Sequence, residues 1–157
     1  MRFITVFIFV ICLVFAESAK NYKLFRVNKL NWHAAFQDCL TRGLQLATIN
    51  SAVDQREFDA VLENSHMVNS WVWTSGTDQS EEGVFIWMST GQPYTYTKWR
   101  ESEPNNLRGD EHCMVVDWVD KNTPAYWNDG RCRYKLPYVC EDKAETNNVV
   151  KIDLNVD

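Results

Sequence analysis

The chain has 157 residues, 45% hydrophobic and 24% charged, with 21 Asp and Glu against 16 Lys and Arg and a net charge of −5. That length suits one domain behind a short leader, and seven Trp, six Tyr and eight Phe supply ample core material. An acidic chain without a basic cluster is poorly suited to nucleic acid or to an anionic membrane surface, which removes both from the expected partners.

The first segment, "MRFITVFIFVICLVFA", has Arg2 as its only charge and is apolar from Phe3 to Phe15 apart from Thr5. This is a basic start followed by a hydrophobic run of secretory length, too short to span a bilayer comfortably, with small residues placed for cleavage after Ala16. Residues 1–16 are therefore read as a signal peptide and the product as secreted and soluble, without membrane insertion. Cleavage removes Arg2 and no acid, making the net charge one unit more negative. Cys12 leaves with the leader. Cys39, Cys113, Cys132 and Cys140 remain, an even set in an oxidising compartment, which predicts two disulfides. Spacing alone leaves three connectivities open. Zinc is disfavoured because no Cys-x-x-Cys pair is present and His33, His66 and His112 are scattered.

Tyr22 to Val27 alternates as a strand does. Asn31 is an N-cap candidate, and Trp32, Ala35, Phe36, Cys39 and Leu40 behind it recur at helical spacing until Gly43. Leu44 to Ile49 is a short strand or extended link. Asn50 or Ser51 then caps a second helix with Val53, Phe58, Val61 and Leu62 as its apolar face. From there the runs turn aromatic and β-branched. "WVWTSGTD" and "GVFIWM" read as strands separated by a polar turn, and "CMVVDWV" and "LPYVCED" as two more. Between them Tyr94 to His112 shows no sustained periodicity, and a connection that long is usually functional or disordered. Two helices followed by short strands predict an α+β domain. The tail alternates Val150, Ile152, Leu154 and Val156 with polar residues, a strand pattern that would pair with the domain edge or with a second subunit.

The long loop carries "EPNNLRGDEHC", and "WND" follows Cys113 by fourteen residues. Glu103, Asn105, Glu111, Asn128 and Asp129 offer carboxylate and amide oxygens and no nitrogen or sulfur donors. Calcium takes six to eight oxygens, including Asn carbonyls, whereas three carboxylates packed together without a cation raise one another's pKa. An acidic solvated loop is the plainer reading of the same residues.

"EPN", "EHC" behind a Gly-containing loop, "WND" and four cysteines in this order together resemble the C-type lectin-like domain family, across roughly Tyr22 to Glu141. "WVWTSGTD…EEGVFIWMSTG" is similar to the secreted single-domain lectins of insects. The resemblance implies a C-type lectin-like fold in residues 21–142, with two helices, small antiparallel sheets and a long calcium-binding loop, and a tail at 143–157. It implies nested disulfides, Cys39–Cys140 and Cys113–Cys132, and a cis peptide before Pro104. It also makes Glu103, Asn105, Glu111, Asn128 and Asp129 the ligands of one Ca²⁺. Of these, Glu103, Asn105, Glu111 and Asn128 also meet the sugar, since a sugar hydroxyl can donate to a carboxylate and accept from an amide. "EPN" resembles the version that prefers mannose-type hydroxyls, with Gln and Asp standing there in the galactose type.

The pattern departs at a second calcium position. Asp78 and Glu82 match two of its four acids, but Asn106 and His112 stand where the others would be. The Trp127 indole is read as core rather than as a sugar platform. Catalysis is not expected, because the acids share a site with Asn donors and every mature Cys is needed for a disulfide. The reading is a secreted, calcium-dependent, mannose-type lectin of defence or extracellular fluids, and possible self-association falls to the tail. The alternative is a protein-binding module of the same fold in which calcium only orders the loop.

Overall fold

The computed structural model describes residues 19–67, 69–119 and 123–143. The signal peptide read at residues 1–16 and the alternating tail from Val150 lie outside the described residues. Among the described residues no helix is long and apolar enough to cross a membrane.

Helix α1 (Trp32–Thr41) starts where the Asn31 side chain accepts the Ala34 N–H at 2.9 Å, and it buries Trp32, Ala35 and Cys39. Helix α2 (Ala52–Asn64) starts at Ser51, which accepts the Asp54 N–H at 3.1 Å, so Ser51 rather than Asn50 is the cap. The Asp54 carboxylate reaches back to the Asn50 N–H at 2.8 Å, which satisfies a second donor at the helix start. One expectation fails here. Val53 is 47% exposed, while Asp54 and Gln55 are buried with Phe58 and Leu62. The buried stripe runs through 54, 55, 58 and 62, and Val53 is rotated away from it.

Among the described residues, eight strands complete the fold. They are β1 (Tyr22–Leu30), β2 (Leu44–Leu46), β3 (Ser70–Thr77), β4 (Ile86–Trp87), β5 (Gln92–Pro93), β6 (Cys113–Trp118), β7 (Tyr126–Gly130) and β8 (Leu136–Asp142). The two ends of the domain meet, because β1 pairs antiparallel with β8 and sets Tyr22 opposite Glu141 and Phe25 opposite Tyr138. β2 also pairs with β8, and β3 joins it through the parallel pair Trp73–Tyr138. β3 then pairs with β6, and β6 with β7. β1 runs three residues beyond the alternating stretch seen in the sequence, and only Ile86–Trp87 of "GVFIWM" is strand.

Both faces of this sheet are covered, which is why its central strands read as continuous apolar runs. Val72, Met114, Val116, Trp118 and Val139 face the side packed by Phe58 and Leu62 of α2. Their neighbours Trp73, Cys113, Val115, Tyr138 and Cys140 join Trp32, Ala35 and Cys39 of α1 on the other side. The period of two along a strand makes this division. Two disulfides lock it, Cys39–Cys140 between α1 and β8 and Cys113–Cys132 across the β6–β7 end, with Cα separations of 5.7 and 5.2 Å. The four cysteines among the described residues are thus all paired, as the resemblance implied.

Gly76 lets the long loop leave the sheet. A Cβ there would lie 1.8 Å from the Tyr94 hydroxyl and 2.8 Å from Met114 Cβ, so only glycine allows Tyr94 to cross β3.

Candidate functional site

Residues 94–112 hold one 3₁₀ turn, Leu107–Gly109, and are otherwise shaped by what they touch. The main anchor is β7, a strand the sequence did not announce. Trp99 bridges to Trp127 in parallel, with the Trp127 N–H donating to the Lys98 carbonyl and the Arg100 N–H to the Trp127 carbonyl, both at 2.8 Å. Glu103 follows within a turn, its N–H donating to the Arg100 carbonyl at 3.0 Å, and the Glu103–Pro104 peptide is cis. Asp129 then takes the loop a second time. Its two carboxylate oxygens accept the N–H of Asn105 at 3.1 Å and of Asn106 at 2.7 Å.

Glu111 closes the circuit. Its carboxylate accepts the Leu107 N–H at 3.2 Å, and its own N–H donates to the Asn106 side-chain oxygen at 3.0 Å. The β6–β7 register sets Val115 opposite Asn128 and Met114 opposite Asp129, just beyond Glu111 in the chain. Asp129 and Glu111 thus tie Asn105, Asn106 and Leu107 into one bonded network, Glu103 lies against Asp129, and Asn128 precedes Asp129 on β7. Below them Trp127 is fully buried, ringed by Trp87, Tyr94, Tyr96 and Trp99 at centroid distances of 5.4 to 5.7 Å. It is core, as read from the sequence. Its indole N–H donates to Gln55 of α2 at 2.7 Å.

The electrostatics of the five residues are unresolved by protein alone. Asp129 and Glu111 are buried at 1% and 7% exposure. Glu103 Oε2 and Asn128 Oδ1 are buried atoms without a hydrogen-bond partner. The Glu103 carboxyl is pushed up to about 7, first by burial, then by contact with the Asp129 carboxylate and by the charge of Glu111. Burial also raises Glu111, with the Asp129 charge adding to it, while the Leu107 N–H and Arg131 oppose the shift. Arg131 reaches Glu111 only at 3.9 Å and stands nearer Asp110, at 3.6 Å. Each orphaned buried acceptor costs about 1–3 kcal/mol. An oxygen-only set of three carboxylates and two amides, with two acceptors lacking donors, fits a hard divalent cation such as calcium and does not fit zinc.

A second cluster lies beside the first. Asp78, Glu82 and His112 bring one donor atom each within 4.8 Å of one another. The His112 Nδ1 is 3.1 Å from Asp78 Oδ1 and 3.3 Å from Glu82 Oε2. Asn106 does not join them, because its side-chain oxygen is taken by the Glu111 N–H. Gln55 and Arg131 are the supporting residues that sequence reasoning missed. Gln55 carried no signal beyond a polar residue on an apolar helix face.

The pattern of the Lectin C-type domain matches residues 28–142. The chain is 34% identical over 130 residues to salivary C-type lectin 2 of Aedes albopictus, covering 80% of this chain and 85% of that one. It is 31% identical over 144 residues to C-type lectin 37Da of Drosophila melanogaster, covering 87% and 76%. Among solved structures, the C-type carbohydrate-recognition domain of cow CD23, determined in the presence of GlcNAc2Man3 oligosaccharide, superposes with a TM-score of 0.68 at 26% identity, covering 82% of this chain and 91% of that one.

Proposed function

The chain belongs to the C-type lectin domain family, and from that premise and the loop geometry we propose that it is a secreted, calcium-dependent carbohydrate-binding lectin of mannose-type specificity, with no catalysis of its own. The observation that carries the reading is the pair of partnerless buried acceptors, Glu103 Oε2 and Asn128 Oδ1, in a network that already holds Asp129 and Glu111. Glu103, Asn105, Glu111, Asn128 and Asp129 would hold the calcium. When bound, the ion supplies charge compensation and further coordination positions for two neighbouring sugar hydroxyls.

The chain's own groups do the orienting. Carboxylates of Glu103 and Glu111 accept hydroxyl hydrogens, and the amides of Asn105 and Asn128 donate to hydroxyl oxygens. A site with both donors and acceptors recognises a hydroxyl pair in one relative orientation, and the "EPN" sequence supports the mannose-type pair. The cow CD23 domain, with an oligosaccharide of GlcNAc and mannose, supports the same substrate class. Asn105 is exposed and Glu103 half-buried, so the sugar would sit on an open surface. Single sites of that kind bind weakly, and several acting together gain avidity. Secretion rests on the leader read at residues 1–16 and on the two disulfides. The lectin domain is assigned to 21–142 and the tail to 143–157. Glycan recognition in defence or in extracellular fluids is the proposed setting.

Titration of methyl α-mannoside into the mature protein by calorimetry, with calcium and then with EDTA, tests this. Heat of binding that requires calcium supports the reading. Calcium binding without any sugar binding would instead favour a protein-recognising module in which the ion orders the loop.

A further inference from the structure

The resemblance places a second calcium where Asp78, Glu82, Asn106 and His112 stand, and the donors present do not fit that ion. Asn106 spends its side-chain oxygen on the Glu111 N–H, which leaves two carboxylates and an imidazole. Calcium selects oxygen donors, whereas imidazole with carboxylates suits zinc and its neighbours among the first-row transition ions.

We infer that Asp78, Glu82 and His112 form a site for a divalent transition ion, zinc in the first place, separate from the oxygen-only set around Glu103. Distances support it. Four donors at about 2.1 Å from a zinc ion stand about 3.4 Å from one another, and His112 Nδ1 lies 3.1 Å from Asp78 Oδ1 and 3.3 Å from Glu82 Oε2. Two of the three donor pairs thus already have tetrahedral spacing, the third lies within 4.8 Å, and water would be the fourth ligand.

Two of the three ligands are held in place by the backbone. Asp78 is 2% exposed, and its second oxygen accepts the Gly83 N–H at 2.8 Å, which fixes the first toward His112. The His112 carbonyl accepts the Thr77 hydroxyl at 2.7 Å and the Asp78 N–H at 3.3 Å, clamping the imidazole's own residue against β3. Glu82 is the solvent-exposed ligand, with a side chain 57% exposed. Outer contacts of this kind commonly alter metal affinity by 10- to 100-fold. The metal-binding form is the neutral imidazole, coordinating through Nδ1. No side chain is common to the two sets, so this site stands or falls apart from the sugar-binding reading.

The test is a titration of Co²⁺ into the mature protein kept in excess calcium, read by visible absorption. One equivalent should bind with the intense bands of a four-coordinate ion and be displaced by Zn²⁺. His112→Gln should weaken binding by more than about tenfold, and His112→Asp should lose cobalt while gaining a second calcium equivalent. Proton NMR of the unaltered protein gives an independent readout, since Zn²⁺ should shift the His112 ring and leave His33 and His66 in place. Absence of cobalt binding by the unaltered protein, binding unchanged in His112→Gln, or a Zn²⁺ shift at another histidine would overturn the inference. The imidazole would then serve only as a hydrogen-bond bridge between Asp78 and Glu82.

Discussion

Trp127 donates its indole N–H to the side-chain oxygen of Gln55 at 2.7 Å, across 72 residues of sequence and entirely within the core. The bond joins α2 to the strand whose next two residues are Asn128 and Asp129. Gln55→Leu should leave a buried indole N–H without an acceptor and cost about 1–3 kcal/mol. Because β7 carries Asn128 and Asp129, two of the five oxygen donors, calcium affinity should fall as well, by less than in any ligand variant. Urea unfolding and a calcium titration of the same variant measure both.

Lys20 is the counter-ion of two buried acids. Its ammonium lies 2.8 Å from Asp54 and 3.5 Å from Glu141, whose side chains are each 4% exposed. Lys20→Met should destabilise the fold by about 2–4 kcal/mol at pH 7. Burial already raises the Glu141 pKa, and Lys20 is the main charge opposing that rise. A carboxyl raised in the folded state favours folding below its unfolded pKa, and that contribution disappears as pH climbs through the folded value. Removing Lys20 widens the window, so the variant's deficit should shrink as pH falls and Glu141 takes up a proton. Denaturation midpoints at pH 7 and pH 4 give the comparison.

Glu103 gives the metal-free protein an opposite preference from the calcium-loaded one. Its carboxyl is raised from its ordinary value near 4.5 to about 7. In EDTA its contribution to stability is therefore full below about 4.5 and is lost as pH rises through about 7. Glu103→Gln should raise the melting temperature of the metal-free protein at pH 8 and change it little at pH 4.5. The same substitution should weaken calcium binding by at least about tenfold, since a charged ligand is lost. Melting curves with and without calcium should consequently cross between the two proteins.

Much of this architecture is legible in the chain, and the reasons differ by element. Asn31 announces α1 because a cap is a local device, and the four cysteines announce their pairing only through the family pattern. Val53 misleads because α2 buries Asp54 and Gln55, and their partners Lys20 and Trp127 lie far off in sequence. β7 escapes notice because its polar residues are there to bond the loop, which interrupts strand alternation. Of the site, the residue types were plain, whereas the two orphaned oxygens and the approach of His112 to Asp78 across 34 residues exist only in the folded chain.

Specificity should move with two residues. Glu103→Gln together with Asn105→Asp exchanges the acceptor and donor positions around the sugar hydroxyls, and preference should shift from mannose toward galactose by about tenfold or more. Inhibition constants of the two monosaccharides against one immobilised glycan measure the shift. An unchanged ratio would assign specificity to the surrounding loop rather than to these side chains.

The most direct measurement is retention of the mature protein on a mannose matrix in calcium, followed by separate elution with free mannose, free galactose and EDTA. Retention is expected, with release by mannose and by EDTA and much weaker release by galactose. Elution indifferent to EDTA, or no retention on mannose or on a parallel galactose matrix, would contradict the lectin reading.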